Sequence, residues 1–209
     1  MTTALVDYDS GNLHSAQKAF ERMAAEVGAG PIIVTSDPDV VARADRIVLP
    51  GDGAFPHCRA ELFARTGLAE AIAEAVTARA RPFFGICVGM QMMATTGHEY
   101  EPTAGFDWVA GDICKINPSD SALKVPHMGW NTVESLGETP LLAGVEGQHF
   151  YFVHGYAVKS SECSTATTEY GGRFVSVASR DNFFATQFHP ERSGAAGARL
   201  IANFLGMNQ

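Results

Sequence analysis

Cysteine is scarce in this sequence, and what there is lies scattered. The 209 residues hold four cysteines, Cys58, Cys87, Cys114 and Cys163, and no two form a C-x-x-C pair. That excludes a zinc ribbon, a thioredoxin-type dithiol and a disulfide scaffold, and it suits a reducing compartment. Basic side chains are few as well: 15 Lys and Arg face 23 Asp and Glu, giving a net charge of −8. No Lys/Arg cluster is present, so the phosphate neutralisation that drives nucleic-acid binding has no footprint, and no such partner is expected. No His, Cys, Asp and Glu set has metal-ligand spacing, so neither a metal nor a cofactor is expected. The longest uncharged run, residues 82–98, is interrupted by Gly85, Gly89 and Gly97 and carries Gln91, which makes it a poor membrane span. Residues 1–11 contain Asp7 and Asp9 and no basic residue, unlike a secretory signal, and a cytoplasmic protein is predicted. Repeats, linkers and low-complexity tracts are also missing, so residues 1–209 read as a single domain.

What remains is a chain with 46 % hydrophobic and 18 % charged residues, enough to bury a full core. Its first half alternates β-rich runs with helical patterns. Residues 4–8, 31–35, 46–50 and 82–86 read as short strands, and the continuous apolar runs at 31–35 and 46–50 suit a sheet covered on both faces. Between them, Leu13, Ala16, Phe20 and Met23 recur at helical spacing, as do Leu68, Ile72 and Val76 within residues 67–80. The pattern predicts a doubly wound α/β fold: a mostly parallel sheet, helices on both faces, and reactive loops beyond the carboxyl ends of the strands. From about residue 105 short strands take over, at 108–116, 150–158, 166–170, 174–179 and 183–188, and are expected to extend the sheet in antiparallel fashion. A last helix is predicted from Ser193, as N-cap, to about Leu205.

The sharpest chemical feature is Gly85-Ile86-Cys87-Val88-Gly89, where a buried strand runs into a helical pattern. Two glycines flanking a nucleophile on a tight strand-to-helix turn have the layout of a nucleophile elbow, with cysteine as the nucleophile. A helix N-terminus favours thiolate over thiol, and the Val88 N–H points toward an oxyanion formed on an attacked carbonyl. The other three cysteines lack this setting and read as ordinary core or surface thiols.

A thiolate nucleophile needs a proton acceptor that later protonates the leaving group. Of the seven histidines, only His189 ends an apolar strand and has a carboxylate two residues on, in His189-Pro190-Glu191. Residues two apart in extended chain share a side, and Pro190 ends the strand, so Glu191 can orient the imidazole. The loop Pro50-Gly51-Asp52-Gly53 follows the third strand and can bring backbone amides to an oxyanion. It lacks the lysine and hydroxyl residue of a phosphate loop.

Taken in order, Pro50-Gly51-x-Gly53, Gly85-x-Cys87-x-Gly89-Met90-Gln91 and Phe188-His189-Pro190-Glu191 resemble the class I, or triad, glutamine amidotransferases, over nearly the whole chain. Residues 126–131 (PHMGWN), 151–156 (YFVHGY) and 9–13 (DSGNL) are similar to the glutaminase subunits of imidazole glycerol phosphate synthases. The resemblance implies a Cys87-His189-Glu191 triad, and an oxyanion hole from Val88 and the Gly51, Asp52 and Gly53 loop. It also implies a glutamine site that includes Gln91 and Glu99, with Glu99 pairing to the substrate ammonium. It implies a cyclase partner, a (β/α)₈ barrel that consumes the ammonia, in a heterodimer of the histidine pathway. Four positions depart from the family's pattern. Asp52 replaces a small apolar residue, Val88 a leucine, Gly155 a serine or threonine, and Arg192 a lysine. A carboxylate aimed at an oxyanion would oppose catalysis, so the Asp52 side chain is expected to point away from Cys87; Trp130 and Arg192 are expected near the partner. Three other readings remain open: a non-catalytic regulatory protein of the same fold, a glutaminase feeding another synthase, and a cysteine peptidase.

Overall fold

A computed structural model describes residues 1–207. The strands are β1 (Thr3–Val6), β2 (Ile32–Thr35), β3 (Arg46–Leu49), β4 (Phe83–Ile86), β5 (Ala94–Gly97), β6 (Thr103–Ala104), β7 (Val109–Lys115), β8 (His127–Thr132), β9 (Glu134–Ser135), β10 (His149–His154), β11 (Tyr156–Val158), β12 (Ser164–Glu169), β13 (Arg173–Arg180) and β14 (Phe183–Thr186). The helices are α1 (Leu13–Val27), α2 (Pro38–Arg43), α3 (Phe55–Ala64), α4 (Leu68–Ala73), α5 (Val88–Gln91) and α6 (Gly194–Gly206).

The central sheet has the order β2-β1-β3-β4-β14-β13-β12-β9. Its first five strands run parallel and the rest antiparallel. The doubly wound α/β architecture with an antiparallel extension is thus present, and the fully buried residues of β1, β3, β4 and β14 explain their continuously apolar sequences. The α1 stripe buries Ala16, Phe20, Met23 and Ala24. Phe84 meets Phe20 from α1 and Phe204 from α6, at centroid distances of 6.2 and 5.1 Å, so one helical layer is stitched to the sheet by aromatic contacts.

Several expectations need correction. The run 150–158 is not one strand. It breaks at Gly155 into β10, which pairs with β8, and β11, which pairs with β7. The run 108–116 yields β7 of a separate four-stranded sheet, not an extension of the central one. The helix read at 67–80 is α4 followed by a π-helical turn at Glu74–Ala78. Helix α3, begun by a proline in its first turn, carries no regular apolar stripe and escaped the periodicity reading.

What matters for the site is the placement β3-β4-β14. Leu49 pairs with Gly85 and Thr186 with Ile86, so the three strands end in step. The three sequence motifs leave the sheet side by side at its carboxyl edge, where open α/β sheets hold their ligands.

Candidate active site

Cys87 is the residue between β4 and α5, and its backbone has φ 54° and ψ −108°, a conformation rarely adopted by a side-chain-bearing residue. The flanking glycines are required by contact distance. A Cβ on Gly85 would stand 2.6 Å from the Gly89 carbonyl oxygen, and one on Gly89 would fall on the carbonyl oxygen of Leu49. The elbow is therefore compressed between β3 and its own strand. Its backbone is tied down by the Cys87 N–H, which donates to Thr186 O at 2.8 Å. The thiol is 3 % exposed.

His189 leaves β14 on the neighbouring track. Its Nδ1–H donates to Glu191 Oε1 at 2.7 Å, and both side chains are 3 % exposed. The tautomer is fixed by that bond, because a carboxylate only accepts; the other ring nitrogen, Nε2, is buried with no regular hydrogen bond in the protein. Burial works against a charge on the ring, but the nearby Cys87 sulfur, followed by the bond and charge of Glu191, outweighs it and raises the pKa of His189 above its ordinary 6.5. The ring is held in turn by its backbone. The His189 N–H donates to Tyr151 O at 2.9 Å. The Ser193 hydroxyl donates to His189 O at 2.6 Å and accepts from Tyr151 N–H at 3.0 Å. Ser193 thus sits at the N-cap position of α6 but makes no side-chain cap bond, contrary to expectation.

A cavity of about 170 Å³ opens beside the sulfur, lined by Asp52, Gly53, Cys87, Val88, Gln91, Glu99, Pro126 and residues 153–156. Glu99 accepts the Phe55 N–H on Oε2 at 2.8 Å, capping α3 while its other oxygen is uncommitted. Gln91 gives its Nε2 to Tyr156 O at 3.0 Å and to Gln187 Oε1 at 3.1 Å, so only its Oε1 is left for a ligand. The loop before α3 is braced from the segment that follows β1. The Tyr8 hydroxyl donates to Pro50 O at 2.6 Å, and the Ser10 hydroxyl donates to Asp52 O at 3.0 Å, which turns the Gly53 N–H away from Ser10. Gly51 packs so closely that a Cβ would meet Val88 Cβ at 2.7 Å, which joins this loop to the elbow. Among the described residues no group of three His, Cys, Asp or Glu could hold a metal ion.

The sequence profile of the class-I glutamine amidotransferases matches residues 4–207. The chain belongs to this family. Curated relatives named imidazole glycerol phosphate synthase subunit HisH include one from Ruegeria pomeroyi, 57 % identical over 208 residues, and one from Cereibacter sphaeroides, 59 % identical over 208 residues; each alignment spans 98 % of both chains. Among solved structures, the glutaminase domain of Trypanosoma brucei CTPS with bound acivicin is 16 % identical with a TM-score of 0.65, covering 100 % of this chain and 95 % of the other. A glutamine amidotransferase from Thermotoga maritima has a TM-score of 0.63 at 15 % identity, covering 91 % of this chain and 76 % of the other. These two share the amidotransferase fold.

The fold brings together every residue read as part of an amidotransferase site: Cys87, Val88, His189, Glu191, Gln91, Glu99 and the Gly51–Asp52–Gly53 loop. Asp52 is exposed, and its carboxylate makes no hydrogen bond to the Cys87 sulfur. Trp130 is 56 % exposed, packs on Tyr151 at 6.2 Å, and shares that ring with Arg192, whose guanidinium lies 4.7 Å from its centroid. Sequence reasoning overlooked Tyr8 and Ser10, which hold the loop, and Gln187, whose Nε2–H donates to Cys87 Sγ at 3.6 Å. His127 and His154, two of the histidines without a carboxylate at the end of a strand, lie close to the site. They form a buried pair, Nδ1 to Nε2, at 3.1 Å. Only Gln187 left a signal: it stands two residues before His189, so strand alternation points both to one side.

Proposed function

We propose that this chain is the glutaminase subunit of an imidazole glycerol phosphate synthase, hydrolysing L-glutamine to L-glutamate and ammonia with Cys87, His189 and Glu191 as its triad. The observation that carries the chemistry is the buried His189 ring. One nitrogen is locked to Glu191, and the other is free of regular bonds and under the influence of the Cys87 sulfur. The thiol proton passes to His189 Nε2, and the sulfur forms a bond to the side-chain amide carbon of glutamine. The amide oxygen takes the negative charge beside the N–H of Val88 and those of the Asp52–Gly53 loop. His189 returns the proton to the departing nitrogen, the carbon–nitrogen bond breaks, and ammonia leaves a glutamyl thioester. Water then loses a proton to His189 and adds to the thioester; the sulfur leaves as thiolate and glutamate is released. Glu99, with one oxygen uncommitted in the cavity, is placed to receive the substrate ammonium, and Gln91 offers it Oε1.

The identities of 57 and 59 % to HisH subunits along nearly the full chain support the synthase assignment and a cyclase as partner. The surface supports it too. Met128 and Trp130, 63 and 56 % exposed, stand beside Tyr151, whose carbonyl holds His189, so an apolar patch adjoins the reacting groups. Ammonia in neutral water is mostly ammonium, which is no nucleophile, and docking the consumer next to the site protects the product. A cytoplasmic location fits this pathway; among the described residues no helix is long and apolar enough to cross a membrane.

The test is glutamate release from glutamine by the purified chain beside Cys87→Ala. Loss of activity by at least about 10³-fold in the variant is expected. Equal rates in the two proteins would remove Cys87 from the chemistry.

A further inference from the structure

We infer that Gln187 is a catalytic residue, whose side-chain amide donates a hydrogen bond to the Cys87 sulfur and holds it as the thiolate that attacks and later departs. The inference rests on the reading of Cys87 as nucleophile. Gln187 is fully buried directly behind the His189 loop, and its Nε2 lies 3.6 Å from Cys87 Sγ.

Which end of that amide meets the sulfur follows from bonds that leave no choice. The carbonyl oxygen of Tyr156 can only accept. The Gln91 side-chain atom 3.0 Å from it is therefore the nitrogen. That nitrogen can only donate, so the Gln187 atom 3.1 Å from it is the oxygen. The nitrogen of Gln187 is what remains, and it faces the sulfur. Tyr156 O is itself anchored. His154 Nδ1 approaches it to 3.0 Å and must donate, which leaves His154 Nε2 to accept from His127 Nδ1 at 3.1 Å. The chain ends where Asn131 Nδ2 stands 3.4 Å from His127 Nε2. Burial lowers the pKa of His127 to about 4 and that of His154 to about 3, so both rings are neutral and each has the single proton this arrangement requires. Two series of donors thus converge on Tyr156 O, one from Asn131 through His127 and His154 and the other from Gln91, whose nitrogen also fixes the orientation of Gln187.

A donor on sulfur favours thiolate over thiol. The thiol proton still goes to His189 Nε2; Gln187 gives up none. Its bond is strongest while the sulfur is anionic, which is before attack and again when thiolate leaves the glutamyl thioester. The other ionisable groups around the sulfur are His189 with its partner Glu191, the cavity-lining Glu99, Asp52, His154 and Tyr156, and Tyr8 and Cys58, which burial keeps neutral.

The experiment is the pH dependence of iodoacetamide alkylation, followed at Cys87 by peptide mass spectrometry, in the intact chain and in Gln187→Met and Gln187→Glu, with circular dichroism to verify folding. Methionine keeps the volume and removes the donor; the Cys87 alkylation rate at pH 6 is expected to fall about ten-fold and to recover at alkaline pH. Glutamate, which sets a carboxylate against the sulfur, should shift the profile further. Folded variants with the wild-type profile would overturn the inference while leaving Cys87 as nucleophile. Absence of preferential Cys87 alkylation in the wild-type protein would overturn both. Should neither variant fold, the Gln187 side-chain N–H resonances of the wild-type protein decide: they must titrate with the alkylation midpoint, and invariance across it refutes the bond.

Discussion

At His189, burial opposes charge and two partners outweigh it, so this ring takes its proton from the company it keeps. Glu191→Gln keeps the shape and removes the charge and the fixed tautomer. A fall of about 10²–10⁴-fold in kcat, seen in glutamate release, is expected, together with a lower His189 pKa in ring-nitrogen NMR. The three buried histidines also shape stability against pH. His127 and His154 have folded pKa values below the unfolded 6.5, so as pH falls beneath 6.5 the unfolded chain takes up protons that the folded one refuses, and stability drops toward pH 4 and 3. His189 is raised; its contribution is complete below pH 6.5 and is lost as pH climbs toward the folded value. These three groups place a stability maximum near pH 6.5, measurable as the urea midpoint between pH 4 and 9, and replacing His154 by Phe should flatten the acid side. An unchanged acid limb in that variant would contradict the burial of a neutral ring. At this scale the proposed triad was legible because each member is marked by its neighbours in sequence: Gly85 and Gly89 around Cys87, Pro190 between His189 and Glu191. Tyr8, Ser10 and Gln187 were not, since their partners, Pro50, Asp52 and Cys87, lie far away along the chain.

At the scale of elements, the elbow is set by how closely β3, β4 and α5 approach. Gly89 lies where a Cβ would strike the Leu49 carbonyl, and backbone cannot yield as a side chain can. Gly89→Ala should destabilise the chain by more than about 3 kcal/mol in urea unfolding, or displace the elbow and abolish hydrolysis if it folds. Full stability with full activity would show that the strands are less closely apposed. Of the parallel strands, β1, β3 and β4 were readable from their sequences as buried strands; β2, read as covered on both faces, is an edge strand with Ile33 exposed, and β14, expected to be antiparallel, runs parallel to β4. The second half was less so. The run 150–158, interrupted only by His154 and Gly155, does not show by itself that Gly155 divides it between two sheets, since pairing partners are chosen by tertiary contact. Ser193 shows the same limit: a serine before a helix signals a cap, yet its hydroxyl serves Tyr151 and His189 instead.

On the scale of the whole molecule, the decisive fact is strand order. Placing β14 beside β4, and β3 on its other side, brings a cysteine, a histidine and a glycine-rich loop from three distant stretches to one edge. The sequence implied the fold class and that edge, while the order of the last strands became visible only in three dimensions. The site opens beside a surface on which Met128 and Trp130 are exposed, and the proposed function joins the two: chemistry at Cys87 and a partner docked next to it that consumes the ammonia. The most direct measurement is Cys87-dependent glutamate release by the purified chain, alone and then with a matched cyclase and its nucleotide substrate. The predicted result is hydrolysis that is absent in Cys87→Ala and rises sharply when partner and nucleotide are both present; hydrolysis indifferent to that partner would contradict the synthase assignment, and hydrolysis surviving in Cys87→Ala would contradict the site itself.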